Sequence, residues 1–253
     1  MTLSPDFPPS LPEVADQDME LLDIHTHRTP PPADALLSVT LPLPPDATLD
    51  RLSDGSPVAL GIHPWQTSGF STPEDASALL AELECLAATP QVIAIGEAGL
   101  DPLRGAPFPV QESIFRSQIA LSETTGKPLI IHLVRAWDQF LKIRRDTAPR
   151  QPWILHGFRG KPRVLEMLLR ERHNASTSGS SPYGPLYFSV GPRFNPGSLP
   201  LIPADRLLIE TDDSPAAIGD VLGSVSSTLG MAPADLRRQL AANSRRLFPT
   251  PNQ

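Results

Sequence analysis

Five of the six histidines stand where an apolar, strand-like run ends. The runs are LLDIHTH at 21–27, VALGIHP at 58–64, PLIIH at 128–132 and PWILH at 152–156. Two more end in carboxylates, VIAIGEAGLD at 92–101 and LLIETDD at 207–213. A buried strand has no packing reason to end in imidazole or acid. If the strands are parallel, their ends gather at one face. His25, His27, Glu97, His132, His156 and Asp212 then converge on one polar pocket. Residues two apart in an extended strand share a face, so His25 and His27 can reach one ion. Imidazole suits Zn, Fe, Ni and Mn, and added carboxylate widens the choice toward Mn and Mg. This is the residue set of a metal-dependent hydrolase centre.

The elements that must position these residues alternate along the chain. Strand candidates are 21–25, 36–41, 58–62, 92–96, 128–132, 152–156, 186–191 and 206–210. Most are continuous apolar runs, as expected of strands covered on both faces. Helical patterns fall at 73–88, 109–126, 135–146, 161–172 and 233–247. The clearest, 109–126, has a broad apolar face and Gly126 placed as a C-terminal cap. Eight strands with intervening helices predict a single-domain (β/α)8 TIM barrel with its site at the C-terminal strand ends. A doubly wound open sheet is the alternative. The segment between the second and third strands leaves room for barely two helical turns. The polar, Gly/Ser-rich stretch 173–185 reads as an insertion that could close over the pocket.

Composition narrows the setting. The chain has 253 residues and a net charge of −7, so no global basic field attracts nucleic acid. A nucleic-acid substrate would need local positive charge, most simply bound metal and a few arginines. The one cysteine, Cys85, excludes an intramolecular disulfide and a thiolate cluster, and is expected to pack as a small residue in a helix. Residues 1–18 read as a flexible, proline-rich lead-in, followed by a barrel over 19–250. The opening residues lack a basic region followed by an apolar stretch. No apolar run approaches the ~20 residues of a membrane helix. The expected location is cytoplasmic, so the sequon at Asn174 is read as chance.

Ordered motifs then make a resemblance specific. Asp23-Ile24-His25-Thr26-His27 fits a DxHxH opening, Gly61-Ile62-His63-Pro64 a GxHP motif, and Ile95 to Asp101 an IGExGLD motif. Gln111, Phe115 and Gln118 fit a QxxxFxxQ helix. Pro128 to His132 fits PxIIH, and His156, Phe158 and Gly160 fit HxFxG. Glu210-Thr211-Asp212 and Asn243, Leu247 and Phe248 complete the series. Together they resemble the TatD family of metal-dependent hydrolases, within the amidohydrolase-type barrels, from about residue 21 to residue 248.

The resemblance implies two divalent ions, of Mg, Mn or Zn type. His25, His27 and Asp212 would hold one. Glu97 would bridge to the second, held also by His132 and His156. Glu97 and Asp212 would be the catalytic carboxylates, with Asp212 orienting or deprotonating the attacking water. His63 is expected near the substrate, and Arg135 and Arg159 are expected to contact it. Arg159 stands where relatives often have a serine, and Arg135 one residue later than their arginine. Asp23 is expected either to orient an imidazole or to line the barrel, and Asp101 to be a structural loop acid. The implied reaction is phosphodiester hydrolysis at DNA ends. A small-molecule amide, ester or lactone is the alternative substrate, and a barrel that binds without turnover is the third reading.

Overall fold

The computed structural model describes residues 20–170 and 183–248. Eight strands close into a parallel barrel in sequence order: β1 (Asp23–Thr26), β2 (Ala35–Thr40), β3 (Val58–Gly61), β4 (Val92–Leu100), β5 (Leu129–Leu133), β6 (Trp153–Leu155), β7 (Leu186–Val190) and β8 (Leu207–Ile209). Asp23 pairs with Ile209 across the seam, and this closure rules out the open sheet. The chain is a (β/α)8 barrel. The outer layer holds α1 (Leu49–Ser53), α2 (Ser77–Leu86), α3 (Phe108–Thr125), α4 (Trp137–Thr147), α5 (Pro162–Arg170), α6 (Ile218–Leu229) and α7 (Pro233–Leu247).

The ring of helices is incomplete where the sequence is thin. β1 and β2 are joined without a described helix, and α1 has only five residues. β7 and β8 are joined through two short 3-10 turns, Leu199–Leu201 and Ala204–Arg206. Helix α3 ends as its sequence predicts, with Gly126 at φ 70 and its amide bonded to the Ser122 carbonyl. Helix α6 was not expected. Gly219, Gly223 and three serines give it low intrinsic propensity. Burial of Val221, Leu222 and Val225 against the barrel stabilises it instead.

One apolar cluster takes a residue from every strand: Ile24, Leu36, Ala59, Ala94, Ile130, Ile154, Tyr187 and Leu208. It fills the barrel interior. Two residues further along, the same face carries His132 on β5, His156 after β6 and Glu210 after β8. The apolar layer is therefore the floor of the polar site. Two other clusters pack the outer faces of the strands against the helices.

Two expectations need correction, and others fall outside the described residues. Glu97 does not follow a strand: β4 runs on to Leu100, with its register shifting between Ile95 and Ala98. Cys85 is exposed rather than packed, because it lies on the outer face of α2. The lead-in 1–18, His173, the sequon at Asn174 and residues 173–182 of the polar insertion lie outside the described residues. Among the described residues, no helix is long and apolar enough to cross a membrane.

Candidate metal centre

Glu97 is the hub of the site. It is 3 % exposed and meets five imidazoles. Its two oxygens face different partners. Oε2 lies 3.3 Å from His25 Nε2 and 3.6 Å from His27 Nε2. Oε1 lies 2.7 Å from His156 Nε2, 2.9 Å from His132 Nδ1 and 3.1 Å from His63 Nε2. Asp212 Oδ1 approaches the first pair from the other side, 3.6 Å from His27 and 3.9 Å from His25. The six predicted ligands do come together.

The local backbone explains how they meet. The Asp212 amide donates to the His25 carbonyl at 2.9 Å, which ties the end of β8 to β1. Arg28 donates to the carbonyls of Ser214 and Ala216, pinning the loop that follows Asp212. Gly99 brings β4 close to β5: a Cβ on it would stand 1.9 Å from the His132 carbonyl oxygen, and its φ is +150. Only glycine fits there. Gln118 accepts from the Ile62 amide at 2.8 Å and donates to its carbonyl at 3.0 Å, fixing the strand end before His63. Gln111 does the same for the loop after β4, through the backbone of Asp101, Arg104 and Ala106. Asn243 donates to the Ala204 and Leu207 carbonyls, holding the start of β8. These three amides of the recognised motifs are scaffold rather than chemistry.

Outer partners orient the imidazoles. Glu210, fully buried, accepts the Gly157 amide at 2.6 Å and lies 3.5 Å from His156 Nδ1. That carboxylate favours a proton on Nδ1 and leaves the Nε2 lone pair facing the centre. Asp101 Oδ2 lies 3.6 Å from His132 Nε2 and accepts the Trp65 indole N–H at 2.7 Å. Asp101 is thus a loop acid that also faces a candidate ligand. His63 differs from the others. Its Nδ1 accepts the Trp65 amide at 3.0 Å, so the neutral ring carries its proton on Nε2 and donates to Glu97. His63 can therefore group with Glu97 and His132 by distance yet has no lone pair to offer an ion there. Asp23 makes no bond to an imidazole ring among the described residues. It accepts from the Thr211 amide at 2.9 Å and hydroxyl at 2.6 Å. Burial raises its pKa to about 6, against the lowering effect of the Thr211 bonds.

Electrostatics separate the groups. Burial alone would raise Glu97, but the charge on His156 and hydrogen bonds from His132 and His156 hold it well below the usual carboxylate range. Burial opposes the charge on His156, yet Glu97 and Glu210 push it well above the ordinary imidazole value. Burial would lower His27 too, and its bond to Glu97 with the nearby acid charges raises it instead. His63 goes the other way, because burial outweighs Glu97.

The donor set fits divalent metal. His25 Nε2 is buried and faces the centre without a well-formed hydrogen bond among the described residues, its nearest acceptors being Glu97 Oε2 at 3.3 Å and Asp212 Oδ1 at 3.9 Å. Such groups are rare in folded proteins and a bound ion is one accepted reason for them. Ligand atoms of His25, His27 and Glu97, and of His25, His156 and Asp212, lie within 4.8 Å of one another.

The centre opens into two cavities. A small one of about 330 Å3 holds His27, His63, Glu97, Asp212 and Asp213 at its wall. A larger cleft of about 880 Å3 runs beside it, walled by Arg135, Arg159, Lys161 and Arg193 with Trp65 and Trp137. Arg135 and Arg159, the two expected substrate contacts, stand exposed at the cleft wall. Sequence reasoning missed Trp65, Lys161, Arg193 and Glu210. Trp65 is 42 % exposed, and Arg104 stacks on its ring at 4.3 Å. Its signal was its place directly after GxHP. The signal for Glu210 was its spacing of two from Leu208.

Fold and site together define a (β/α)8 barrel whose C-terminal mouth carries a His/carboxylate cluster able to bind divalent metal. Residues 47–249 match the family described as TatD related DNase, and the chain belongs to that family. The match begins after His25 and His27. The chain is 30% identical over 213 residues to the 3'-5' ssDNA/RNA exonuclease TatD of Erwinia billingiae, covering 76% of this chain and 77% of that one. It is 32% identical over 210 residues to the protein of the same name from Klebsiella pneumoniae, covering 74% and 75%. Among solved structures, the TatD homologue YJJV of Escherichia coli superposes with a TM-score of 0.66 at 20% identity, over 92% of this chain and 99% of that chain. A TatD family hydrolase from Entamoeba histolytica gives 0.67 at 17% identity, over 85% of each. At those identities the likeness is one of fold.

Proposed function

We propose that this protein is a metal-dependent exonuclease that hydrolyses phosphodiester bonds at the ends of single-stranded DNA or RNA. The observation that carries the reading is the division of Glu97, with one oxygen toward His25 and His27 and the other toward His132 and His156. A single carboxylate set between two imidazole groups suits two ions. The names of the relatives from Erwinia and Klebsiella support the substrate.

In this proposal His25, His27 and Asp212 would hold one ion, and His132 and His156 would hold a second, with Glu97 placed to serve both. Two divalent ions, as Mg, Mn or Zn, would activate water and neutralise charge on the phosphate. Asp212, more open than Glu97 at 23 % against 4 % side-chain exposure, would take the proton from the attacking water. His63 holds Glu97 in orientation from the floor of the small cavity. Arg135 and Arg159 bind the phosphates of the strand, where a guanidinium can make paired bonds. They supply the local positive charge that a chain of net charge −7 lacks overall. That basic cleft favours a polyanion over the neutral amide or ester of the small-molecule reading. We also take 19–250 as one domain and the setting as cytoplasmic, where nucleic-acid substrates occur.

The test is digestion of a single-stranded oligonucleotide labelled at either end, with Mg, with Mn and with EDTA. Metal-dependent loss of the 3' label ahead of the 5' label supports the reading. Metal-dependent hydrolysis of esters or amides with no cleavage of DNA or RNA would replace it with the small-molecule one.

A further inference from the structure

The cleft beside the metal-ligand cluster does not stop at the barrel mouth. Its walls Arg135, Trp137, Lys161 and Val164 are also walls of a second groove, about 1070 Å3, that runs outward between α4 and α5. The basic side chains of this groove are Arg135, Arg145, Lys161, Arg163 and Arg170, against the acids Asp138 and Glu166. In a chain with 21 basic and 28 acidic residues, that is a local reversal of sign.

The helix pattern produces this face. α5 turns Leu165 and Leu168 into the core, which leaves Arg163, Glu166 and Arg170 exposed. Arg170 pairs with Glu166 at 3.8 Å, an exposed contact of small net strength. Between the charges the groove has an apolar floor of Leu141, Val164 and Met167. Half-buried Trp137 stands at the junction of the two grooves, held edge-on to Phe158 at 6.4 Å. Cations spaced along a groove with an aromatic ring beside them are what a single nucleic-acid strand uses, phosphates on the charges and bases on the ring.

We propose that the α4–α5 groove is a track for the part of a single-stranded nucleic acid that extends away from the metal centre. The proposal rests on the nuclease reading above and adds to it a second contact region. A dinucleotide has one internucleotide phosphate, the one held at the metal centre, so it has none for Arg163 and Arg170, whereas a longer strand does; the nine residues of α5 extend the track by about 13 Å. The enzyme then gains affinity with substrate length.

The experiment compares the full-length protein with the Arg163→Ala/Arg170→Ala variant. Fluorescence anisotropy in EDTA measures binding of a labelled single-stranded DNA of about 15 nucleotides across a salt series. Loss of two phosphate contacts lowers the slope of log affinity against log salt by about 1.4, which is a roughly twentyfold loss at 0.1 M salt that fades toward 1 M. In Mg or Mn, kcat/KM for the long strand falls in parallel, while cleavage of a dinucleotide stays at the wild-type rate. An unchanged slope, or an equal loss on both substrates, overturns the track. A polyglutamate peptide that competes as well as DNA would give the groove to an acidic protein segment instead. Wild-type protein that cleaves neither substrate defeats the nuclease reading, while the anisotropy series still decides whether the groove binds the strand.

Discussion

Glu210 Oε1 lies 3.5 Å from His156 Nδ1 and accepts the Gly157 amide at 2.6 Å. One buried carboxylate thus fixes both the ring that faces Glu97 and the backbone directly after it. Replacing Glu210 by Gln keeps the shape but removes the charge that favours the Nδ1-protonated tautomer. The expected result is a 10–100-fold loss in metal affinity, read by titration of Mn or Zn into metal-free protein. Wild-type affinity in the variant would leave Glu210 a backbone anchor only.

Metal should stabilise the fold through Glu97. At a metal concentration about 100 times Kd, binding adds roughly 2.7 kcal/mol, or about 5–10 °C in Tm for a chain of this size. EDTA should therefore lower the wild-type Tm by that amount. Glu97→Gln should show little difference with and without metal. A wild-type Tm indifferent to chelation and to added metal would contradict the ligand set.

Gly99 is a steric requirement of the site. Its Cβ position is 1.9 Å from the His132 carbonyl oxygen, a backbone atom that cannot swing aside. Gly99→Ala should destabilise by about 3 kcal/mol or more, seen in urea unfolding and as reduced soluble protein. A fully stable variant would mean that β4 and β5 separate more easily than the geometry allows.

Gln118 tests the scaffold independently of the metal. It satisfies both backbone groups of buried Ile62. Gln118→Leu leaves both unpaired, at an expected cost of about 2–4 kcal/mol. Urea unfolding of the metal-free protein measures it, and a change under about 1 kcal/mol would show that water replaces the side chain.

Much of this was legible from the chain. Short continuous apolar runs such as PLIIH, bounded by turn residues, fit strands buried on both faces, so barrel strands and their C-terminal residues emerge together. His25, His27, His132, His156 and Asp212 were found that way. Glu97 emerges the same way from the run at 92–101, but its position inside β4 was hidden, because the register shift between Ile95 and Ala98 leaves no pattern in the sequence. α6 was hidden because its stability comes from packing rather than propensity. Glu210 was read as part of ETD and not as a site residue, since a burial partner across strands is a tertiary fact. The basic groove was hidden too, because α4 and α5 contribute to it from opposite sides and neither is strongly basic alone.

The most direct test of the account is cleavage of a 3'-labelled single-stranded DNA oligonucleotide by wild-type protein and by Glu97→Ala, each with Mg, with Mn and with EDTA. The division of Glu97 between two imidazole groups predicts label release by wild type in metal alone and a loss of at least about a hundredfold in the variant. Release by the variant at the wild-type rate, or release that survives EDTA, would contradict it.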